Sequence, residues 1–207
     1  MNNRYFKNPI LESLAYTSAL TLNLVFIPLA LYFIFLSFYH HAITIACLGI
    51  FAGLFLWSFI EYVMHRFAFH FKIKNEKLRK LHAIFHLSHH EFMHDKRKYQ
   101  SLMLLSLPST ILYYYLLKSL LGSYVEPVFA GLIIGYVMYE FTHYSTHSMK
   151  MDSLLVKHLK QHHMHHHCLN PEKNFGVTSA FWDIVFKTRL TEGEKIKLLQ
   201  KKAKVTS

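Results

Sequence analysis

SLAYTSALTLNLVFIPLALYFIFLSFYHHAITIACLGIFAGLFLWSFI, from Ser13 to Ile60, contains no Asp, Glu, Lys or Arg. A helix crossing a bilayer needs ~20 predominantly apolar residues, so this run holds two such helices and a tight turn. Tyr39-His40-His41 marks the turn. Pro28 inside the first segment is tolerated in a membrane helix. A helical pair in a water-soluble core would carry polar faces, and these segments lack them. A cleaved signal peptide has a shorter apolar core and a small-residue cleavage site. The first segment has neither and reads as a retained anchor.

A second apolar stretch runs from Ser101 to Tyr144, with Lys118 and Glu126 near its middle and Gly122-Ser123-Tyr124 as turn chemistry. The pattern predicts an all-α integral membrane protein with about four transmembrane helices in two hairpins, at about 14–38, 42–63, 101–121 and 126–145. Pro108 is expected to kink the third. Partly re-entrant spans are an alternative for this pair. Neither repeat nor linker divides the chain, so 1–207 reads as one domain.

Composition narrows the class. At 52% hydrophobic residues the chain is not disordered, and two Cys make no disulfide framework. The net charge is +11. Arg4 and Lys7 precede the first span, and Arg66, Lys72, Lys74, Lys77, Arg79, Lys80 and Lys96 to Lys98 follow the second. More Lys and Arg crowd the tail after Lys187. Two hairpins place all these segments on one side, and the positive-inside rule makes that side cytoplasmic. Anionic lipid headgroups account for the basic surface without nucleic acid.

The chain has 17 His, and most share that cytoplasmic side, in parts 64–98 and 143–190, a helical cap. Four clusters stand out: His65 and His70; His82, His86, His89 and His90; His143 and His147; and His162, His163, His165, His166 and His167. Residues at i, i+3 and i+4 share a helix face. His86, His89 and His90 have that spacing, as do His163, His166 and His167, and His143 and His147 are an i, i+4 pair. His65 and His70 stand five apart, which predicts that the helix unwinds at the membrane surface. Converging neutral imidazoles suit borderline transition metals, and two ions with about five imidazoles each is the economical arrangement. His40, His41, His158 and His165 read as interfacial or surface residues, and Cys47 as core. Cys168 points away from the His167 face.

Two competing readings follow from the same residues. His90-Glu91-Phe92-Met93-His94 matches HExxH, the signature of a membrane zinc protease with Glu91 as general base, but it leaves three clusters unexplained. A non-enzymatic metal transporter or sensor should place ionisable ligands at mid-bilayer, whereas these clusters sit at span ends.

The blocks Glu61-Tyr62 before HRFAFH, HAIFHLSHH, YEFTHYSTH, LKQHHMHHH and NFGVTSAFWDIVFKT resemble, in order and spacing, the fatty acid hydroxylase branch of the fatty acid hydroxylase/sterol desaturase superfamily. The similarity runs over about Glu61 to Thr188 and is closest to the fatty acid 2-hydroxylases. It implies an O2-dependent monooxygenase that hydroxylates C2 of a free or lipid-linked fatty acyl chain. It further implies a dimetal centre on ten ligands: His65, His70, His86, His89, His90, His143, His147, His163, His166 and His167. Glu61, His82, Glu140, His162 and Asp183 become candidates to orient those ligands; Glu140 stands where close relatives often carry Asp. Insertion into an unactivated C–H bond calls for redox-active iron, with zinc, which has no redox chemistry of its own, as an occupant of purified protein. Related branches act on sterols and carotenoids, so a sterol or carotenoid hydroxylase or desaturase is the alternative within the superfamily. Many eukaryotic 2-hydroxylases carry an N-terminal cytochrome b5-like domain, whereas about a dozen residues precede the first span here. The resemblance therefore implies an electron donor supplied in trans, such as a cytochrome b5-like protein or a ferredoxin with its reductase. The host membrane would be the inner membrane of a bacterium or the endoplasmic reticulum of a eukaryote. Phe67, Phe69, Ile84 and Phe85 are candidates to line an acyl-chain slot opening from the bilayer; interface packing is their other reading.

Overall fold

Ser18 begins the first helix by accepting the Thr21 N–H at 3.0 Å, a side-chain N-cap. The computed structural model describes residues 8–9, 16–71, 73–75, 88–91, 93, 95, 99, 102–149 and 154–206. Helix α1 spans Ala19–His40 and α2 Ile43–Val63, which continues into a π-helical turn over Met64–Phe69. Next come α3 (Ser88–Glu91), α4 (Met103–Leu121), α5 (Val125–Ser148), α6 (Leu154–Cys168), α7 (Phe181–Val185) and α8 (Glu192–Thr206). Helices α1 and α4 run through Pro28 and Pro108 without ending. The Thr17 hydroxyl takes the Met103 N–H at 2.8 Å, one of the amides that a helix start leaves without a partner.

Among the described residues, three helical stretches are long and apolar enough to cross a membrane: Ala19–His40, Ile43–Phe69 and Met103–Ser148. The third contains both α4 and α5. Gly122, at φ 58°, turns the chain through Gly122–Tyr124, a backbone angle that costs glycine nothing. The two helices then fold back on each other: the Tyr136 hydroxyl donates to Ser106 Oγ at 2.8 Å, and the Tyr114 and Phe129 rings meet at 5.1 Å.

Helix α5 is the axis of the bundle. Consecutive α1 and α2 touch each other little, and both pack on α5 instead. From α1, Phe26 meets Tyr136 at 4.7 Å and Phe33 meets Phe129 at 4.8 Å, both edge-on. Against α2 the contact is backbone to backbone. A Cβ on Gly53 would stand 1.9 Å from the Val128 carbonyl oxygen, and one on Gly131 would stand 2.0 Å from that of Ile50. Gly49 and Gly135 leave room for Pro127 and Trp57 in the same way. Gly49/Gly53 and Gly131/Gly135 are thus two facing G-x-x-x-G pairs, the small-residue contact by which helices associate in lipid.

The outer surface is apolar. Leu24, Leu31 and Phe35 of α1, Leu48, Phe51 and Phe55 of α2, and Ile111, Leu112 and Leu120 of α4 are all exposed. Patches of that extent mark contact with lipid or protein rather than water. Cys47, expected in the core, is exposed, because the glycine face of α2 packs inward and turns it outward. At the far end of the bundle, Glu126 receives His40 Nδ1 at 2.9 Å and lies 3.4 Å from His41 Nε2, joining the two helix turns.

Since backbone lies where the new methyl would go, Gly131→Ala should force α2 from α5. Overpacking of this kind typically costs ~1–3 kcal/mol, so a lowered Tm in detergent is expected, measured by thermal unfolding. An unchanged Tm would contradict the close contact.

Candidate metal centre

At the membrane end of α2 the helix does not unwind, as the five-residue spacing suggested, but widens. Hydrogen bonds in a π-helix run from i to i+5, a larger turn that brings His65 and His70 to one side with ring centroids 5.1 Å apart. His89 and His90 come from α3, His143 and His147 from the last turns of α5, and His163, His166 and His167 from one face of α6.

These imidazoles gather into two groups. His89, His143, His147, His163 and His167 form one, and His65, His70, His90 and His166 the other; within each, one ligand atom per residue lies within 4.8 Å of all the others. His163 Nε2 stands 2.9 Å from His147 Nε2 and 3.1 Å from His167 Nε2. In the second group His166 Nε2 is 3.1 Å from His70 Nε2 and 3.2 Å from His90 Nε2. Two nitrogens each ~2.1 Å from one ion and at roughly a right angle would stand ~3.0 Å apart, so this spacing and donor set fit transition-metal ions. Rings of His90 and His167, one from each group, stack at 4.0 Å, so the groups are adjacent. His86, the tenth histidine of the expected set, lies outside the described residues, as do His82, His94, Ile84 and Phe85.

What aims the rings is the other nitrogen. His65 Nδ1 pairs with the Phe175 carbonyl, His143 Nδ1 with that of Tyr99 at 2.8 Å, and His166 Nδ1 with that of Lys173 at 2.7 Å. A carbonyl only accepts, so each of these rings carries its proton on Nδ1 and turns a lone pair on Nε2 inward. Among the clustered imidazoles beyond the spans, His89, His90, His163 and His166 are held neutral. Burial lowers His89, His163 and His166 well below the ordinary value, and the neighbouring imidazoles push the same way. Burial, reinforced chiefly by His70, brings His90 down to about 3. Neutral imidazole is the form that binds metal.

Behind the rings lies the segment Asn174–Leu190, governed by two buried carboxylates. Asp183 accepts the N–H groups of Phe175 at 2.9 Å and Gly176 at 2.8 Å, the Thr188 hydroxyl at 2.7 Å, and pairs with His162 Nε2 at 3.0 Å. Burial alone would raise its pKa, but these donors outweigh burial and hold it below the usual carboxylate value. Glu61 accepts the N–H groups of Val177 at 2.6 Å and Thr178 at 2.9 Å, and the Thr178 hydroxyl at 2.6 Å. The Phe175–Gly176 peptide unit therefore joins carboxylate to imidazole: Asp183 accepts its N–H, and its carbonyl holds His65. Gly176 is obligatory there, since a Cβ would meet the Ser179 carbonyl oxygen at 2.0 Å. Asn174, at φ 57°, closes the turn through His162 O and the Leu190 N–H.

Glu140 is buried on α5, one turn before His143. His158 is exposed and His165 half-buried, and Cys168 is exposed. Sequence reading missed the carbonyls of Tyr99, Phe175 and Lys173, because every residue type carries one. It also missed Tyr99 itself, whose ring stacks on His147 at 4.9 Å. Glu91 is exposed, while His90, its neighbour in the HExxH match, belongs to the four-histidine group.

The fold and site define a class: a helical bundle with an apolar outer surface, helices long enough to cross a membrane, and two histidine clusters at one end that could each hold a metal ion. Residues 50–188 match the fatty acid hydroxylase family model, and the chain belongs to that family. It is 37% identical to dihydroceramide fatty acyl 2-hydroxylase of Arabidopsis thaliana, over 66% of this chain and 58% of that protein. It is 31% identical to human fatty acid 2-hydroxylase, over 94% of this chain and 58% of that protein. The chain thus spans somewhat more than half the length of these relatives. A solved structure of full-length scs7p, in which only the hydroxylase domain is visible, superposes with a TM-score of 0.85 at 32% identity, covering 90% of this chain and 71% of that one.

Asp183→Asn removes the charge that these donors share, and hydrogen bonds to a charged group are each worth ~1.5–3 kcal/mol. A loss of that order is expected. Because the folded pKa is depressed, the stabilisation is present above the unfolded carboxylate pKa and lost as pH falls through the folded one. The gap between native and variant protein should stay constant from neutral pH to about 5 and close only below about 4, followed by denaturant unfolding. A gap that closes near neutrality would contradict the assignment.

Proposed function

We propose that the chain is a membrane hydroxylase that uses O2 to insert one oxygen atom at C2 of a fatty acyl chain, free or amide-linked. The observation that carries the reading is a juxtaposition: an apolar cavity of about 290 Å³ is lined by residues that flank clustered histidines. Its upper wall includes Glu61, Met64, Phe69 and Tyr139, each adjacent to or within a turn of a clustered histidine. Its lower wall includes Phe26, Thr110, Tyr113 and Leu132. From Leu102 to Tyr113, at ~1.5 Å per helical residue, the cavity reaches roughly 16 Å down, about half of a ~30 Å hydrocarbon core. Phe69 lines it, whereas Phe67 is exposed on the outer surface.

In this reading His89, His143, His147, His163 and His167 hold one metal ion, and His65, His70, His90 and His166 the other, with His86 completing the set. Bound iron supplies the redox chemistry that O2 activation requires. The chain's own residues supply the rest. The cavity walls take the acyl tail and exclude water, and their depth keeps the carboxyl or amide end near the clusters. The carbonyls of Phe175, Tyr99 and Lys173 keep the rings in their metal-binding tautomer. Four spans, α1, α2, α4 and α5, set every clustered histidine on one side, with His40 and His41 at the other. Arg66, Lys157, Lys160, Lys173 and Lys187 share that side, which favours a cytoplasmic orientation. Electrons come from an external donor such as a cytochrome b5-like protein or a ferredoxin with its reductase.

Membranes containing the chain should yield fatty acids or ceramides heavier by one oxygen, with the hydroxyl on C2, by mass spectrometry. Purified protein should hold about two metal ions per chain. His163→Ala and His166→Ala should each lose metal and product, and Glu91→Gln should keep both. Full metal content in both histidine variants would sink the ligand assignment, and hydroxylation elsewhere on the chain or on a sterol would sink the substrate.

The cavity yields a separate test. Thr110→Phe places a ring in its lower half and should shift product toward shorter acyl chains at unchanged metal content. An unaltered chain-length profile would show that the tail lies elsewhere.

A further inference from the structure

Helix α7 has two faces of opposite character. Asp183 points inward without exposure, while Phe181 is 48% exposed, Ile184 56%, Val185 49% and the following Phe186 43%. Each such side chain forgoes ~1.5–3 kcal/mol if left in water, so a five-residue helix presenting this face needs an apolar surrounding.

Its depth can be read from α2. Phe181 lies 6.1 Å from Phe55 ring to ring, Trp182 lies 5.4 Å from Phe55 and 4.9 Å from Phe59, and Trp182 Nε1 donates to Ser58 Oγ at 3.0 Å. Phe55 sits about two turns before the end of α2, ~12 Å along its axis. Phe55 and Phe59 are themselves exposed on a span, and the rings of Phe181 and Trp182 lie against them. Directly afterwards Lys187, at φ 56°, turns the chain away, and Lys187 and Arg189 are exposed. Long basic side chains beside an apolar segment reach for headgroup phosphates.

We propose that Phe181–Phe186 is an interfacial segment seated in the bilayer, its outer face among the acyl chains of the leaflet at the metal-site end and Lys187 and Arg189 at the headgroups. The sequence pattern places this block in the cytoplasmic helical cap. Lipid thus covers one face of the helix whose other face, through Asp183, fixes the loop that aims His65. The proposal rests on α2 crossing the membrane, not on the hydroxylase reading, and its readout needs no activity.

The test uses the full chain in anionic-lipid nanodiscs, with Cys47 and Cys168 replaced by Ser. Single cysteines at Val185, Ile184, Phe55 and Lys201 carry an environment-sensitive fluorophore. Labels at Val185 and Ile184 should be quenched by a nitroxide on the lipid acyl chain as strongly as the label at Phe55, and be insensitive to aqueous iodide. The label at Lys201, on α8, should show the reverse. Iodide quenching at both Val185 and Ile184 would overturn the proposal. So would protection from both quenchers with energy transfer between labelled chains, which would mean that a second copy covers the face. An unchanged thermal unfolding transition and a single gel-filtration peak show that each variant is folded, and the two positions guard against failure of either one.

Discussion

Asp183 is a carboxylate without solvent, and a buried charge survives only when donors surround it. Here they come from three places: the Phe175–Gly176 backbone, Thr188 and His162 on α6. Through that one group the end of α6, the loop before α7 and α7 itself become a single body. Tyr62, bonded to Thr188 at 2.9 Å, fastens it to α2. Removing Asp183 would leave amide donors buried without an acceptor and would release the carbonyl that orients His65. The histidine clusters therefore depend on a residue that belongs to neither.

The second constraint is the solvent. With lipid outside, helices gain nothing hydrophobic by associating, so they meet where backbones can approach closely. The glycine pairs of α2 and α5 are that place, and they explain why α5 rather than a neighbour in the chain is the partner of α2. Close approach also fixes the relative height of the two helices. Height matters because α2 delivers His65 and His70, and α5 delivers His143 and His147, to adjoining clusters.

Neutral imidazoles packed at these distances repel no charge but leave lone pairs facing one another, an arrangement that a metal ion resolves. Family membership points the same way. Ring orientation is enforced from outside by backbone carbonyls, so the site is preorganised by groups that carry no side-chain signature.

Much of this was legible in the residues alone. The charge-free run from Ser13 to Ile60 and the second apolar stretch marked the long helices, since hydrocarbon excludes charge and leaves that exclusion in the composition. Helical spacing placed His163, His166 and His167 on one face, because that periodicity is local. Spacing did not reveal that His65 and His70 meet through a π-helical turn, which depends on how α2 ends against the loop carrying Phe175. Nor could it divide the histidines into a group of five and a group of four. That division sets His90 with His166 and His89 with His163, pairs far apart in the chain that share a site only once α3 packs against α6. Cys47 shows the same limit: an apolar span looks alike on all sides, and only the glycine contact with α5 decides which side faces lipid.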